Sequence, residues 1–287
     1  MKHHRFRENV THLTALATLS AYFFVVPPAN AASSEWAQSQ GGAVRIVADR
    51  PQPDGTIPAI LDIRLKPGWK TYWLEPGASG IPPQVTVDPQ DGISFSGMRF
   101  PAPAAFDDGI VSYTGYDRSV AFPLSLKREE TGTSEQTGDL TLKASVFIGI
   151  CKDICIPVQA DLSLPLPAGL AENPLDKARI DDAVSALPEE PSDTFKVTAA
   201  TFDPAGKRMR ISLLLPWTNQ TAPPELFLAG PPGYSFGKPD SMTTENGQVT
   251  ADIPVRVPAQ GGALKSGSVL LVARINGRSM ETPLAFD

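Results

Sequence analysis

Beyond residue 31 this chain has no histidine. His3, His4 and His12 are the only three among 287 residues, and all lie in a segment built like an export signal. Lys2, Arg5 and Arg7 form its basic start, Leu13 to Val26 an apolar run of 14 residues, and Ala29-Asn30-Ala31 an A-x-A cleavage site. Removal of this leader, expected over residues 1–31, leaves a mature protein without imidazole. That excludes Ser-His-Asp and Cys-His nucleophilic sites, His-ligated zinc and the commonest general base. Cysteine is nearly as scarce. With only Cys151 and Cys155 present, a four-thiolate zinc site is excluded as well. Long hydrophobic runs are missing too: 14 apolar residues fall short of the roughly 20 that span a bilayer. No stable membrane insertion is expected, and an exported, periplasmic protein is. Basic clusters are absent. Losing three basic residues and one acid with the leader leaves 22 against 30, a net charge of −8, so nucleic acid is not an expected partner. Neither a phosphate loop nor a dinucleotide fingerprint occurs, and no cofactor is expected.

What the chain does have is proline and β-prone runs. Proline makes up 29 of 287 residues, about twice the usual ~5%, and is scattered, which suits short strands and turns. Strands are expected over 44–48, 59–65, 69–73, 93–100, 120–126, 140–150 and 156–164, separated by turns such as Pro53-Asp54-Gly55 and Lys66-Pro67-Gly68. This density implies an antiparallel sandwich. Asn173-Pro174 then reads as a helix start, with Leu175, Ala178, Ile180, Val184 and Leu187 near helical spacing and Pro188 as the stop. Strands resume over 195–200, 209–215, 225–228, 248–257, 268–275 and 279–286, with Asn276-Gly277 as a hairpin signal. The expected class is all-β, two immunoglobulin-like antiparallel sandwiches. The first occupies 32–170, a short helix and linker 171–191, and the second sandwich 192–287.

Cys151 and Cys155 sit at the junction of two β-prone runs, separated by Lys152-Asp153-Ile154. In a hairpin the two would face each other with Cα atoms about 4.5–5.5 Å apart, within reach of a disulfide. Both redox states are then accessible. A bridge closing so short a loop stabilises by about 2 kcal/mol, against about 3 for a loop of 15 residues, which weakens a purely structural role. A short bridge of strained geometry is also easier to reduce. The surroundings offer little activation, because Asp153 opposes Lys152, and an unperturbed thiol is only about 3% thiolate at neutral pH. Such a pair suits exchange with a partner whose own cysteine is activated. Two alternatives stay open: copper(I) handling by the same thiols, and a non-catalytic interaction module with a fixed disulfide.

The segment from Gly149 to Pro157 resembles the cysteine hairpin of the periplasmic N-terminal domain of the thiol:disulfide interchange protein DsbD, in the form seen in ScsB (suppressor of copper sensitivity) proteins. Lys66 to Trp73 with Pro76-Gly77 and Gly80-Ile81-Pro82-Pro83 is similar to the family's aromatic strand and turn. Phe100 to Pro103, Phe106 to Gly109 and Tyr113 to Tyr116 resemble the stretch leading into its cap loop. The resemblance implies a component of a protein-disulfide reductase with Cys155 as the exchange sulfur and Cys151 as the resolving one. It implies a thioredoxin-like domain or membrane electron relay as one partner and oxidised periplasmic proteins as the other. Tyr72, Asp107, Asp108, Tyr113 and Tyr116 would form the cap or touch the partner. Tyr72 and Trp73 suit a core role equally well, and the two aspartates a solvated turn. DsbD has a longer gap between its cysteines, and this sequence reaches neither a transmembrane relay nor a thioredoxin-like domain, so a separate electron donor is expected.

Overall fold

A computed structural model describes residues 1, 33–77, 80–89, 92–107, 112–129, 138–216, 223–245, 247–259 and 264–286. The expected leader, apart from Met1, and Asp108 lie outside the described residues. Among the described residues no helix is long and apolar enough to cross a membrane. Residues 31–287 form one compact unit, and it is all-β with antiparallel sheets, as the turn-rich pattern led one to expect.

The first sandwich contains β1 (Ala37–Gln38), β2 (Gly42–Ala48), β3 (Thr56–Leu65), β4 (Lys70–Tyr72), β5 (Gln84–Val87), β6 (Ile93–Met98), β7 (Ala104–Asp107), β8 (Ser112–Tyr116), β9 (Val120–Arg128), β10 (Leu140–Cys151) and β11 (Cys155–Leu166). One sheet runs β1-β2-β3-β9-β6 and the other β11-β10-β4-β8-β7, with β5 also paired to β10. Alternation along each strand sends Val44, Ile46, Leu61, Phe122, Ile148 and Ile150 into the shared core. Trp73 joins them at 1% exposure, so its role is packing.

Helix α1 (Pro174–Ser185) starts where the Asn-Pro signal places it, the Asn173 side chain accepting from the Leu175 amide at 3.1 Å. Its buried face differs from the expected one. Asp176, Ile180 and Ala183 point inward, whereas Leu175 and Val184 are exposed. Two polar anchors set this rotation. Asn173 donates to Asp176 at 2.8 Å, and Arg179 reaches the buried Asp62 at 2.8 Å, which Arg45 also contacts. Ile180 and Ala183 thereby cover Val47, Ile60 and Ala121 on the outer face of the first sheet.

The second sandwich is built from β12 (Lys196–Asp203), β13 (Arg208–Leu214), β14 (Glu225–Ala229), β15 (Ser235–Phe236), β16 (Ser241–Glu245), β17 (Gln248–Arg256), β18 (Leu270–Ile275) and β19 (Arg278–Pro283). Its sheets run β12-β13-β17-β15, with β16 on β17, and β14-β18-β19. Asn276 and Gly277 turn β18 into β19 with φ of 49° and 80°, the left-handed pair of a type I′ hairpin. The smaller sheet is covered on both faces. Leu228, Leu271 and Ala273 enter the second core, while Phe227, Ala229 and Val272 enter the first. Phe227 meets Trp73 edge-on at 6.3 Å. The 188–191 segment also pairs with β19, through Glu189 amide to Ser279 carbonyl at 2.8 Å and Glu281 amide to Glu189 carbonyl at 3.0 Å.

Strand β4 reaches β10 through only Thr71 and Lys70, opposite Ile150 and Cys151. Thr71 reinforces the join, its hydroxyl donating to the Gly149 carbonyl at 2.9 Å from a fully buried position. Thr71→Val keeps the shape and removes the bond. Stability in urea denaturation of the oxidised protein is expected to fall by about 1–2 kcal/mol.

Candidate redox site

Strands β10 and β11 pair in unbroken register from Leu140↔Leu166 to Cys151↔Cys155. The three intervening residues close the hairpin, with the Lys152 amide donating to the Ile154 carbonyl at 3.1 Å. The two sulfurs are joined, and the Cα atoms are 4.1 Å apart, slightly closer than a generic hairpin pair. The hairpin reading of the two cysteines therefore holds.

The cysteines differ in exposure for a topological reason. β10 is interior, flanked by β11 on one side and by β4 and β5 on the other, so Cys151 is only 6% exposed. β11 is the edge strand, and Cys155 is exposed. An incoming thiolate therefore meets the Cys155 sulfur first.

The pairing registers also say which side chains share the face of the disulfide. Thr71 pairs with Ile150 and with Tyr116, all directed to the core, so Tyr72 falls on the opposite face beside Gly149 and Gly115. Gly149 is required by close approach, because a Cβ there would lie 3.0 Å from the Tyr72 ring and 2.8 Å from Ile81. Over this gap the Tyr72 hydroxyl reaches the Cys155 sulfur at 3.0 Å. A disulfide sulfur carries no hydrogen, so the tyrosine donates. Burial, with a smaller contribution from Tyr113, raises the Tyr72 pKa above the ordinary tyrosine value, which keeps this donor protonated at neutral pH.

An aromatic row continues from Tyr72 across the sheet. Tyr113 meets Tyr72 edge-on at 5.9 Å, and Phe106 stacks on Tyr113 at 5.0 Å. The Lys70 ammonium lies 4.8 Å from the Tyr113 ring centre and 5.6 Å from that of Phe106. Tyr72 and Tyr113 are thus brought to the disulfide. Asp107 sits at the far end of the row, accepting from Ser112 at 3.0 Å and from Lys238 of the second sandwich at 3.0 Å. Tyr116 is elsewhere. It belongs to the core at 7% exposure and donates to the Pro101 carbonyl at 2.7 Å. Phe106 and Lys70 were not singled out in the sequence, although Phe106 alternates with Ala104 and Lys70 with Tyr72, the signal for a shared face.

The first sandwich is an immunoglobulin-like domain whose edge hairpin carries an asymmetrically exposed disulfide. Residues 42–167, which include both cysteines and the aromatic row, match the family described as thiol:disulfide interchange protein DsbD, N-terminal. The crystal structure of the N-terminal periplasmic domain of ScsB from Proteus mirabilis is similar in fold, with a TM-score of 0.67 at 23% identity over 90% of this chain and 100% of that one. No curated protein matches the chain in sequence.

Replacing Tyr72 by Phe removes one hydrogen bond to sulfur and keeps the ring in its slot. Stopped-flow reduction of the oxidised protein by glutathione at pH 7 is expected to change by about three- to tenfold, the equivalent of one ordinary hydrogen bond. An unchanged rate would mean that the hydroxyl does not act on the reacting sulfur.

Proposed function

We propose that the protein is a periplasmic thiol–disulfide exchange module. It passes reducing equivalents between a thioredoxin-like or membrane-relay partner and oxidised periplasmic proteins through Cys151 and Cys155. The observation that carries this reading is the exposure of Cys155 beside a buried Cys151. A partner thiolate attacks the Cys155 sulfur, the Cys151–Cys155 bond breaks, and Cys151 leaves as the thiolate. The partner's second thiol then attacks its own sulfur in the mixed disulfide and releases Cys155. The partner ends oxidised and the module holds two thiols. In the second half-reaction Cys155 attacks a disulfide of the periplasmic protein, and Cys151 resolves the adduct. The Tyr72 hydroxyl is placed to donate to the Cys155 sulfur whenever that sulfur bears negative charge.

Two features support a sheltered centre rather than an open one. The aromatic row covers one flank of the disulfide, and the Asp107–Lys238 pair holds the outer hairpin of that row against the second sandwich. The ScsB domain named above is periplasmic by its description, which agrees with the export signal. Copper(I) handling draws no support from the thioethers, since Met209 and Met280 are fully buried in the second core and Met98 packs against the first.

Cys151→Ser leaves Cys155 without its resolving partner. Expressed in the periplasm, this variant is expected to accumulate mixed disulfides that reductant releases, whereas Cys155→Ser accumulates few. Absence of Cys155-dependent adducts would remove the exchange role. A reduction potential below about −300 mV would assign the bond to the inert structural class instead.

A further inference from the structure

Ile154 stands at the tip of the cysteine hairpin with 67% of its surface exposed, one residue before the sulfur that meets an incoming thiol. Beside it is a cleft of about 490 Å³ lined by Gln40, Trp69, Lys152, Asp153 and Ile154. The Trp69 wall is held in place. The Lys66-Pro67-Gly68-Trp69 turn closes with the Trp69 amide on the Lys66 carbonyl at 3.0 Å, and Gly68 takes the positive φ of 80° that a type II turn demands. The indole then packs onto Gly41, where a Cβ would come within 2.2 Å of the ring and 2.6 Å of the Ile150 side chain. Polar residues are the usual occupants of a hairpin tip, so an isoleucine facing a fixed tryptophan calls for an apolar occupant between them.

We infer that this cleft is a docking subsite for an apolar side chain adjacent in sequence to the cysteine of the attacking partner. The inference rests on Cys155 being the exchange sulfur. A mixed disulfide holds its two Cα atoms about 4.4–6.8 Å apart, and the next residue of the partner lies only about 3.8 Å further along. That neighbour lies within reach of the hairpin tip, whereas the flank occupied by Tyr72 at 3.0 Å is closed to it. The tip is open and adjoins the exchange sulfur in sequence, and Ile154 and Trp69 give the cleft an apolar part beside Gln40, Lys152 and Asp153. An aromatic or aliphatic neighbour buries its surface there while the two sulfurs react. A small hydrophilic thiol gains nothing from the cleft.

The test uses the oxidised full chain and two synthetic thiol tetrapeptides, one with tryptophan beside its cysteine and one with serine there, plus glutathione as the small thiol. Rates are compared per thiolate. The tryptophan peptide is expected to react roughly tenfold faster than the serine peptide. Ile154→Ser should reduce that ratio to near unity, Ile154→Met should retain it, and glutathione should react equally with all three proteins, which also reports intact folding. Equal peptide rates on the unaltered protein, or a preference that survives Ile154→Ser, would overturn the subsite. So would a dimer that Ile154→Ser dissociates, because a second copy would then occupy the cleft. Failure of every thiol to form an adduct at Cys155 would instead refute the exchange reading itself.

Discussion

The pairing of β10 with β11 is the constraint on which the site depends. Twelve consecutive residue pairs end at Cys151 opposite Cys155, and a ladder of that length does not slip, because a one-residue shift would turn Ile148, Ile150 and Leu164 out of the core. The hairpin thus holds the cysteines in a bondable position. The place of each strand in the sheet then divides the labour. The interior strand hides Cys151, and the edge strand presents Cys155.

Around this ladder the outer face of the sheet is graded. Gly149 leaves room for the Tyr72 side chain to lie across the strands, and Tyr113 and Phe106 continue the aromatic row. The second sandwich is fastened to the same domain by one sheet with two apolar faces. Residues alternating along β14 and β18 feed the two cores in turn, so neither sandwich is bounded by water at their junction. Ion pairs such as the exposed Lys238–Asp107 and the partly buried Arg99–Glu281 frame this junction. They contribute little energy by themselves and chiefly position what they join.

Much of this was legible from local pattern. Alternation marked the long strands, Asn276-Gly277 its hairpin, and Asn173-Pro174 its helix start, because each signal acts within a few residues. The cysteine hairpin was legible for the same reason. The short strands β7 and β8 were not. They follow a proline-rich approach and hold only four and five residues, too few to display a period, so Phe106 entered only as part of the resemblance and not as a neighbour of the cysteines. The buried face of α1 was misread because its rotation is set by Asp62, which lies over a hundred positions away. The family resemblance offered Tyr116 as a cap residue, yet its place one strand position from Gly115 turns it inward to the core.

The sequence by itself determined the all-β class and a pair of cysteines close enough to bond. These follow from composition and short-range periodicity. Only the tertiary structure decided which sulfur is exposed, which hydroxyl touches it, and which aromatic rings extend the row from that hydroxyl. Those properties depend on strand order and register, which bring Tyr72 within 3.0 Å of a sulfur 83 positions away. A relation of that kind arises from the packing of sheets, and no local run of residues encodes it.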